Sequence, residues 1–267
     1  MRKPAAIATL LLFTLCACVG RSDDAVIVAG STSVHPYAEM LAQSYALLHP
    51  QYVIDVQGGG SSAGIMAVES GIAEIGMSSR PLKPSEQGLQ TIEIAKDGLA
   101  VILHPNNPVS DLTLAQLRGV YKGEITNWKD LGGADAAIHV YAREEGSGTR
   151  YAFEEMVMDG IMIMPRAIVQ NTNGAVRQLI SSDRNAIGFI SLGLVDETVK
   201  ALKLEGVEAT WGNVMNGSYR LFRPFLFVTD GQPGQAAEQF IAYTLSPEGQ
   251  NVLVLEGLIP ASEGVES

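Results

Sequence analysis

The sequence predicts an α/β fold in two lobes, each with a central, mostly parallel sheet flanked by helices. Three observations carry this prediction. Short β-branched runs alternate with helical stretches, the order that parallel sheets require. Loops rich in Gly, Ser and Thr follow several of those runs. The alternation also restarts midway, and two strand-rich crossings, near residues 99–104 and 222–228, read as links between the lobes.

The elements follow in order. Residues 25–29 form a β-branched strand that ends in Gly30-Ser31-Thr32-Ser33. Residues 36–48 carry helical spacing, with Tyr37, Met40, Leu41, Tyr45 and Leu48 on one stripe. Residues 52–57 alternate in polarity and stop in a Gly/Ser loop over 58–62. A short helix over 63–70 precedes a strand over 73–78, which runs into Ser79-Arg80-Pro81. Residues 98–104 read as a buried strand closed by Pro105-Asn106-Asn107-Pro108. The second lobe then offers a helix over 112–120 with Thr113 near its start, and a strand over 138–142. Helices over 151–158 and 175–181 and a strand over 186–191 complete it. A strand over 220–228 is interrupted by Pro224, and helices over 235–243 and 247–255 end the chain. Lobe one is expected to hold residues 25–102 and 225–267, and lobe two residues 103–224.

Composition narrows the function. The chain has 267 residues, 46% hydrophobic and 18% charged, the balance of a folding chain rather than a disordered one. Its net charge of −11 repels a phosphate backbone, so no nucleic acid is expected as a partner. It also repels free anions, so an anion site must create its own local positive field. The two cysteines, Cys16 and Cys18, lie near the N-terminus, which leaves the body without a disulfide or a cysteine metal site. The four histidines, at 35, 49, 104 and 139, lack metal-ligand spacing. There is no P-loop and no dinucleotide fingerprint, so neither a metal nor a cofactor is expected.

Arg2 and Lys3 precede an apolar run over residues 5–15, shorter than the ~20 residues of a membrane span and suited to a signal peptide. Leu15-Cys16-Ala17-Cys18 places Leu at −3 and Ala at −1 of Cys18, like the bacterial lipoprotein cleavage box. Residues 1–17 are therefore expected to be removed and Cys18 to be lipidated. Residues 18–24 would tether an exported, soluble body to the membrane. An ordinary secretory signal with an incidental Cys18 is the alternative.

Four loops share one design: Gly30-Ser31-Thr32-Ser33, residues 58–62, Ser78-Ser79-Arg80 and Gly146-Ser147-Gly148-Thr149. Each follows a strand and precedes a helix or turn. Ligands of open α/β sheets bind outside the carboxyl ends of strands, where helix N-termini present free N–H groups. Glycine lets the backbone approach, hydroxyls add donors, and Arg80 and Arg143 could add bidentate contacts. Together these suit a small oxyanion. Each serine taken singly also fits a plain helix cap. Gly60-Ser61-Ser62-Ala63-Gly64 additionally matches a hydrolase nucleophile elbow, with Ser62 as nucleophile. That reading needs a late histidine, and none follows His139.

Arg143-x-x-Gly146-Ser147-Gly148-Thr149, with the first two loops, resembles the phosphate-binding proteins of bacterial high-affinity phosphate ABC transporters. The resemblance runs from about residue 26 to 261. It includes Gly123-Glu-Ile-Thr-Asn-Trp128, Ala186-Ile-Gly-Phe-Ile190, Arg223-Pro224 and Leu245-Ser-Pro-Glu-Gly249. It implies a type II periplasmic-binding-protein fold that closes over one inorganic phosphate in the cleft between its lobes. Thr32 and Ser33 would contact phosphate from the first loop and Ser61 from the second. Arg143, Ser147, Gly148 and Thr149 would do so from lobe two, with Glu145 as the acid that orients the arginine. The partners implied are an ABC permease and, through a lipid anchor alone, a membrane; the receptor is expected to be a monomer. Well-known members carry in the third loop an Asp that accepts the proton of hydrogen phosphate and so rejects sulfate. Ser79 stands there, followed by Arg80, which would add a positive contact. Receptors for sulfate, molybdate or tungstate, a sensor or adhesin, and a Ser62 esterase or phosphatase are the competing readings.

Overall fold

The computed structural model describes residues 25–261, so the leader, Cys18 and the whole tether lie outside the described residues. The chain order is β1 (Ala25–Gly30), α1 (His35–Leu48), β2 (Val53–Gly58), α2 (Ser61–Glu69), β3 (Ile75–Ser78) and the long β4 (Gln90–Leu103). There follow β5 (Asp111–Leu112), α3 (Leu114–Lys122), β6 (His139–Arg143), α4 (Gly148–Met158), β7 (Ile168–Gln170), α5 (Asn173–Ser182) and β8 (Ala186–Ser191). The last elements are β9 (Lys200–Ala201), β10 (Lys203–Leu204), α6 (Trp211–Met215), β11 (Phe222–Thr229), α7 (Gln235–Leu245), α8 (Pro247–Leu255) and β12 (Ile259–Pro260).

The main sheet runs β2-β1-β3-β11-β4-β8-β6-β7. β1 pairs in parallel with β2 and β3, and β6 with β7 and β8. Between these parallel trios lie β11 and β4, antiparallel to each other and to their outer neighbours. The sheet is therefore parallel at each end and antiparallel where the chain crosses. β4 serves both ends: Gln90 to Gly98 face β11, and Leu99 to Leu103 face β8. It begins well before residue 98, where the sequence-based strand starts. β11 is not interrupted at Pro224; it runs through, with a register shift at the next residue. Proline is tolerated in a strand at such an irregularity.

Packing divides the molecule in two. Val28, Leu41, Tyr45, Ile75, Phe225, Phe227, Phe240 and Leu253 form one core. Leu99, Val101, Leu103, Tyr121, Phe153, Ile187 and Phe189 form the other, with the Phe153 and Phe189 rings stacked 4.1 Å apart. Ala100 and Ile102 point to the opposite face of β4, against Val176 and Ile180 of α5. Burial on both faces explains the continuous apolar run here, and each such side chain contributes roughly 1.5–3 kcal/mol.

Three helices begin earlier than apolar periodicity predicts, because their first turns are polar or glycine-rich. α2 starts at Ser61, just after Gly60 at φ 94°. α4 starts at Gly148 behind Ser147, and α5 at Asn173 behind Thr172, each cap accepting backbone N–H bonds. Gly64 lets α2 lie directly on β1, since a Cβ there would stand 2.4 Å from the Ala29 carbonyl oxygen. That contact sets the start of α2 beside the end of β1.

Candidate oxyanion site between the lobes

The serine loops of lobe one meet in a buried hydroxyl cluster. Ser31 Oγ accepts the backbone N–H groups of Ser33 (3.2 Å) and Val34 (3.4 Å) and donates to Ser79 Oγ at 2.9 Å. Ser79 Oγ lies 3.3 Å from Ser61 Oγ, which accepts the Ser79 backbone N–H at 3.0 Å. Ser31, Ser61 and Ser79 are all buried.

Lobe two closes directly onto this cluster. Thr149 Oγ1 lies 2.8 Å from Ser33 Oγ, and Asn173 Nδ2 donates to Ser33 Oγ at 3.0 Å. The Ser62 N–H donates to the Gly146 carbonyl at 3.2 Å. Gly148 sits so close that a Cβ on it would stand 2.3 Å from Ser61 Oγ and 2.5 Å from Ser79 Oγ. Ser61, Gly148 and Asn173 are the first residues of α2, α4 and α5, so three positive helix ends converge here.

Arg143, the last residue of β6, is buried. Its Nη2 donates to Thr32 Oγ1 at 2.8 Å and to the Asn171 carbonyl at 2.9 Å. Its Nη1 donates to Asn173 Oδ1 at 3.0 Å and reaches Thr149 Oγ1 at 3.5 Å. Burial pulls its pKa below the ordinary value, opposed by the neighbouring Glu144 carboxylate. Glu144, not Glu145, orients the guanidinium, with bonds of 2.9 Å to Nε and 3.0 Å to Nη2. The reason is a turn: the Ser147 N–H donates to the Glu144 carbonyl, and Glu145, at the turn's centre, is exposed.

The structure thus brings together Thr32, Ser33, Ser61, Ser79, Arg143, Gly148 and Thr149. Ser147 is the cap of α4; its Oγ accepts from Thr149 N (3.2 Å) and Arg150 N (3.3 Å), leaving its own proton to donate. Arg80 departs from expectation. Its guanidinium binds both Glu86 oxygens at 2.7 and 2.8 Å, donates to the Pro81 carbonyl, and lies 5.2 Å from the Tyr151 ring centre. Arg143 is paired with an acid too, but it also reaches Thr32, Thr149 and Asn173 around the hydroxyl cluster, whereas the bonds of Arg80 go to Glu86, Pro81 and Ser62. Ser62 Oγ accepts from Arg80 Nη2 at 3.3 Å. His139 binds Asp183 at 2.6 Å and His104 accepts the Asn106 N–H, so no serine–histidine pair is assembled at the elbow among the described residues.

Asp97 and Arg223 join the site from outside the four hydroxyl-rich loops. Arg223 donates to Thr149 Oγ1 at 2.6 Å and grips Asp97 Oδ2 with Nε (3.2 Å) and Nη2 (3.0 Å). Ser191 donates to Asp97 Oδ1 at 2.6 Å. Burial raises the Asp97 pKa and lowers that of Arg223, each effect opposed by the other's charge. A charged residue inside an apolar strand was the available signal for Asp97. Asn173, at the start of α5, likewise joins the site from outside the four loops. No group of three or more metal-ligating side chains occurs among the described residues.

A profile of the PBP superfamily domain matches residues 19–248. The phosphate-binding protein PstS of Pseudomonas aeruginosa is 31% identical, over 86% of this chain and 81% of its own length. That of Bacillus subtilis is 29% identical, over 91% and 83%. A Clostridium perfringens protein described as a phosphate ABC transporter substrate-binding protein, crystallised with phosphate bound, is 45% identical with a TM-score of 0.86, over 89% of this chain and 100% of its own. An ABC-type phosphate transport receptor from Vibrio cholerae is 40% identical with a TM-score of 0.77, over 88% and 100%. The family match spans most of the sequence, and the solved relatives share its two-lobed architecture: the chain belongs to the PBP superfamily and, within it, to the PstS-type phosphate-binding proteins.

Proposed function

We propose that this chain is an extracytoplasmic receptor that captures inorganic phosphate and delivers it to an ABC transporter. The observation that carries this reading is the meeting of Ser33, Ser61, Ser79 and Thr149 hydroxyls from both lobes beside buried Arg143. Relatives named for phosphate binding and transport support it. Thr32, Ser33, Ser61, Ser79, Arg143, Ser147, Gly148 and Thr149 form the proposed ligand set, with Glu144 as the acid that aims Arg143. Arg80 is left out of this set, because its pairing with Glu86 supports a role in bracing the third loop.

The mechanism is hinge closure. Phosphate meets one lobe, bridges to the other and stabilises the closed state in proportion to its extra contacts there. Charge-assisted hydrogen bonds contribute on the order of 1.5–3 kcal/mol each. Several of them offset anion desolvation and leave the roughly −8 kcal/mol of micromolar binding. The hinge is assigned to the point where β4 passes from one core to the other, between Gly98 and Leu99, and to the start of β11.

The protein acts as a binder rather than an enzyme, because Ser62 faces an arginine where an elbow needs a base. Cys18 is the proposed lipid attachment point, with a cognate permease as partner and a monomeric receptor. No described helix is long and apolar enough to cross a membrane. Ser79 supports a second reading, a broader tetrahedral-oxyanion receptor, since it carries no charge against a fully ionised anion. Calorimetric titration with phosphate, sulfate and molybdate separates the two. Micromolar phosphate binding with weaker sulfate and molybdate binding is expected, and binding of sulfate alone would overturn the phosphate reading.

A further inference from the structure

Arg223 lies on β11 and Asp97 on β4, the two strands by which the chain crosses between the cores. Both side chains are buried, and the free end of Arg223 reaches Thr149 in the first turn of α4. We propose that Arg223, gripped by Asp97, is a positioning residue for ligand capture: it sets the direction in which the Thr149 and Ser33 hydroxyls give their protons. This inference rests on the phosphate-receptor reading and adds to it a residue outside the ligand loops.

The argument is a count of donors and acceptors. A hydroxyl has one proton and two lone pairs. Thr149 Oγ1 faces Arg223 Nη1 at 2.6 Å and Arg143 Nη1 at 3.5 Å, and a guanidinium can only donate. Both lone pairs of Thr149 are therefore taken, and its proton turns to Ser33 Oγ, 2.8 Å away. Ser33 Oγ also accepts from Asn173 Nδ2 at 3.0 Å. With both of its lone pairs filled, Ser33 keeps its own proton uncommitted and available to an oxyanion, so Thr149 serves the ligand set through Ser33 rather than by a hydrogen bond of its own. Without Arg223, Thr149 regains a lone pair and can accept from Ser33, which turns that proton away from the ligand. Asp97 makes the arrangement rigid. Its Oδ2 takes Nε and Nη2, its Oδ1 accepts from Ser191 on β8, and Nη1 is the arm left to reach α4. The single ammonium of a lysine could not hold Asp97 and reach Thr149 in this forked geometry.

A double-mutant cycle tests this. Orthophosphate is titrated calorimetrically, up to millimolar concentration, into wild type, Arg223→Gln, Thr149→Val and the double variant, with thermal melts to confirm folding. Arg223→Gln is expected to weaken binding about tenfold or more in the wild-type background, the scale of one charge-assisted hydrogen bond. In the Thr149→Val background it is expected to weaken binding less than about twofold, because the hydroxyl it acts through is gone. Equal losses in both backgrounds would overturn the proposal, as would an unchanged affinity of Arg223→Gln alone; Arg223 would then merely hold the crossing strands together. If Arg223→Gln loses its cooperative melt, Arg223→Lys replaces it in the same cycle under the same criterion. Wild type that takes up no phosphate would sink the receptor reading itself, a result distinct from an additive cycle.

Discussion

Arg143 Nη2 lies 2.8 Å from Thr32 Oγ1, a hydrogen bond that joins the end of β6 in one lobe to the loop after β1 in the other. The same guanidinium is held by Glu144, Asn173 and the carbonyls of Gln170, which ends β7, and Asn171, which follows it, so its position is set by its own lobe. Such preorganisation lowers the ordering cost of binding. Arg143→Ala is therefore expected to weaken phosphate binding at least about 100-fold, the equivalent of losing two charge-assisted bonds. A cooperative thermal melt should be retained, because the hydrophobic cores are untouched. Titration calorimetry on the folded variant checks this, and wild-type affinity would remove Arg143 from the site.

In the proposed site, selectivity is expected to depend on Ser79. Its Oγ accepts from Ser31 and can share a proton with Ser61, so it can accept the hydrogen of hydrogen phosphate without repelling sulfate. A carboxylate at this buried point would accept that proton and repel an anion that has none. Ser79→Asp should raise the ratio of phosphate to sulfate affinity by tenfold or more (about 1.4 kcal/mol or above). Competition titration measures the ratio, and an unchanged value would reject this account of position 79.

Local chemistry made much of this molecule legible in its sequence. The β-branched run over Ala25–Gly30, the apolar stripe of α1 and the Pro247 that opens α8 are all local signals. So are the hydroxyl-rich loops, because caps, tight turns and anion sites draw on the same few residues. What escaped depended on a distant partner or on the exact course of a turn. Asp97 and Arg223 are 126 residues apart, and nothing near either one shows that the other neutralises it. Glu144 and Glu145 are chemically alike, and only the turn decides which of them faces Arg143. Arg80 looked free because Glu86 reaches it only through the 3-10 turn over Pro84–Glu86.

That Arg80–Glu86 pair has a pH signature. Hydrogen bonding from Arg80 holds the Glu86 carboxyl below its ordinary pKa, against a smaller opposing effect of burial. A depressed folded-state pKa stabilises the fold above the unfolded value, and that contribution is lost as pH falls through the folded value. Glu86→Gln should lower stability by about 1.5–3 kcal/mol near neutral pH, the scale of a hydrogen bond to a charged group, since buried Arg80 loses its counter-charge. The difference between variant and wild type should shrink steadily on acidification through about pH 4.3, where an unfolded Glu is half protonated. Denaturant melts at several pH values read the two curves; parallel curves down to pH 3 would show that the pair carries no such linkage.

Closure itself can be tested at Gly148. A methyl group there would press on Ser61 Oγ and Ser79 Oγ, at 2.3 and 2.5 Å, and on the Ser79 carbonyl carbon at 3.0 Å. The hydroxyls cannot simply swing aside, because Ser61 holds the Ser79 N–H and Ser79 holds the Ser31 proton. All three contacts cross between lobes, so the cheapest relief is to open the cleft rather than to unfold either core. Within its own lobe the residue opens α4, where alanine is a better helix former than glycine. Gly148→Ala should therefore keep or slightly raise its melting temperature while losing at least tenfold in phosphate affinity, about 1.4 kcal/mol. Small-angle scattering should show a radius of gyration that contracts on adding phosphate in wild type and stays constant in the variant. A variant that binds and contracts like wild type would mean that the liganded state does not bring Gly148 against Ser61 and Ser79.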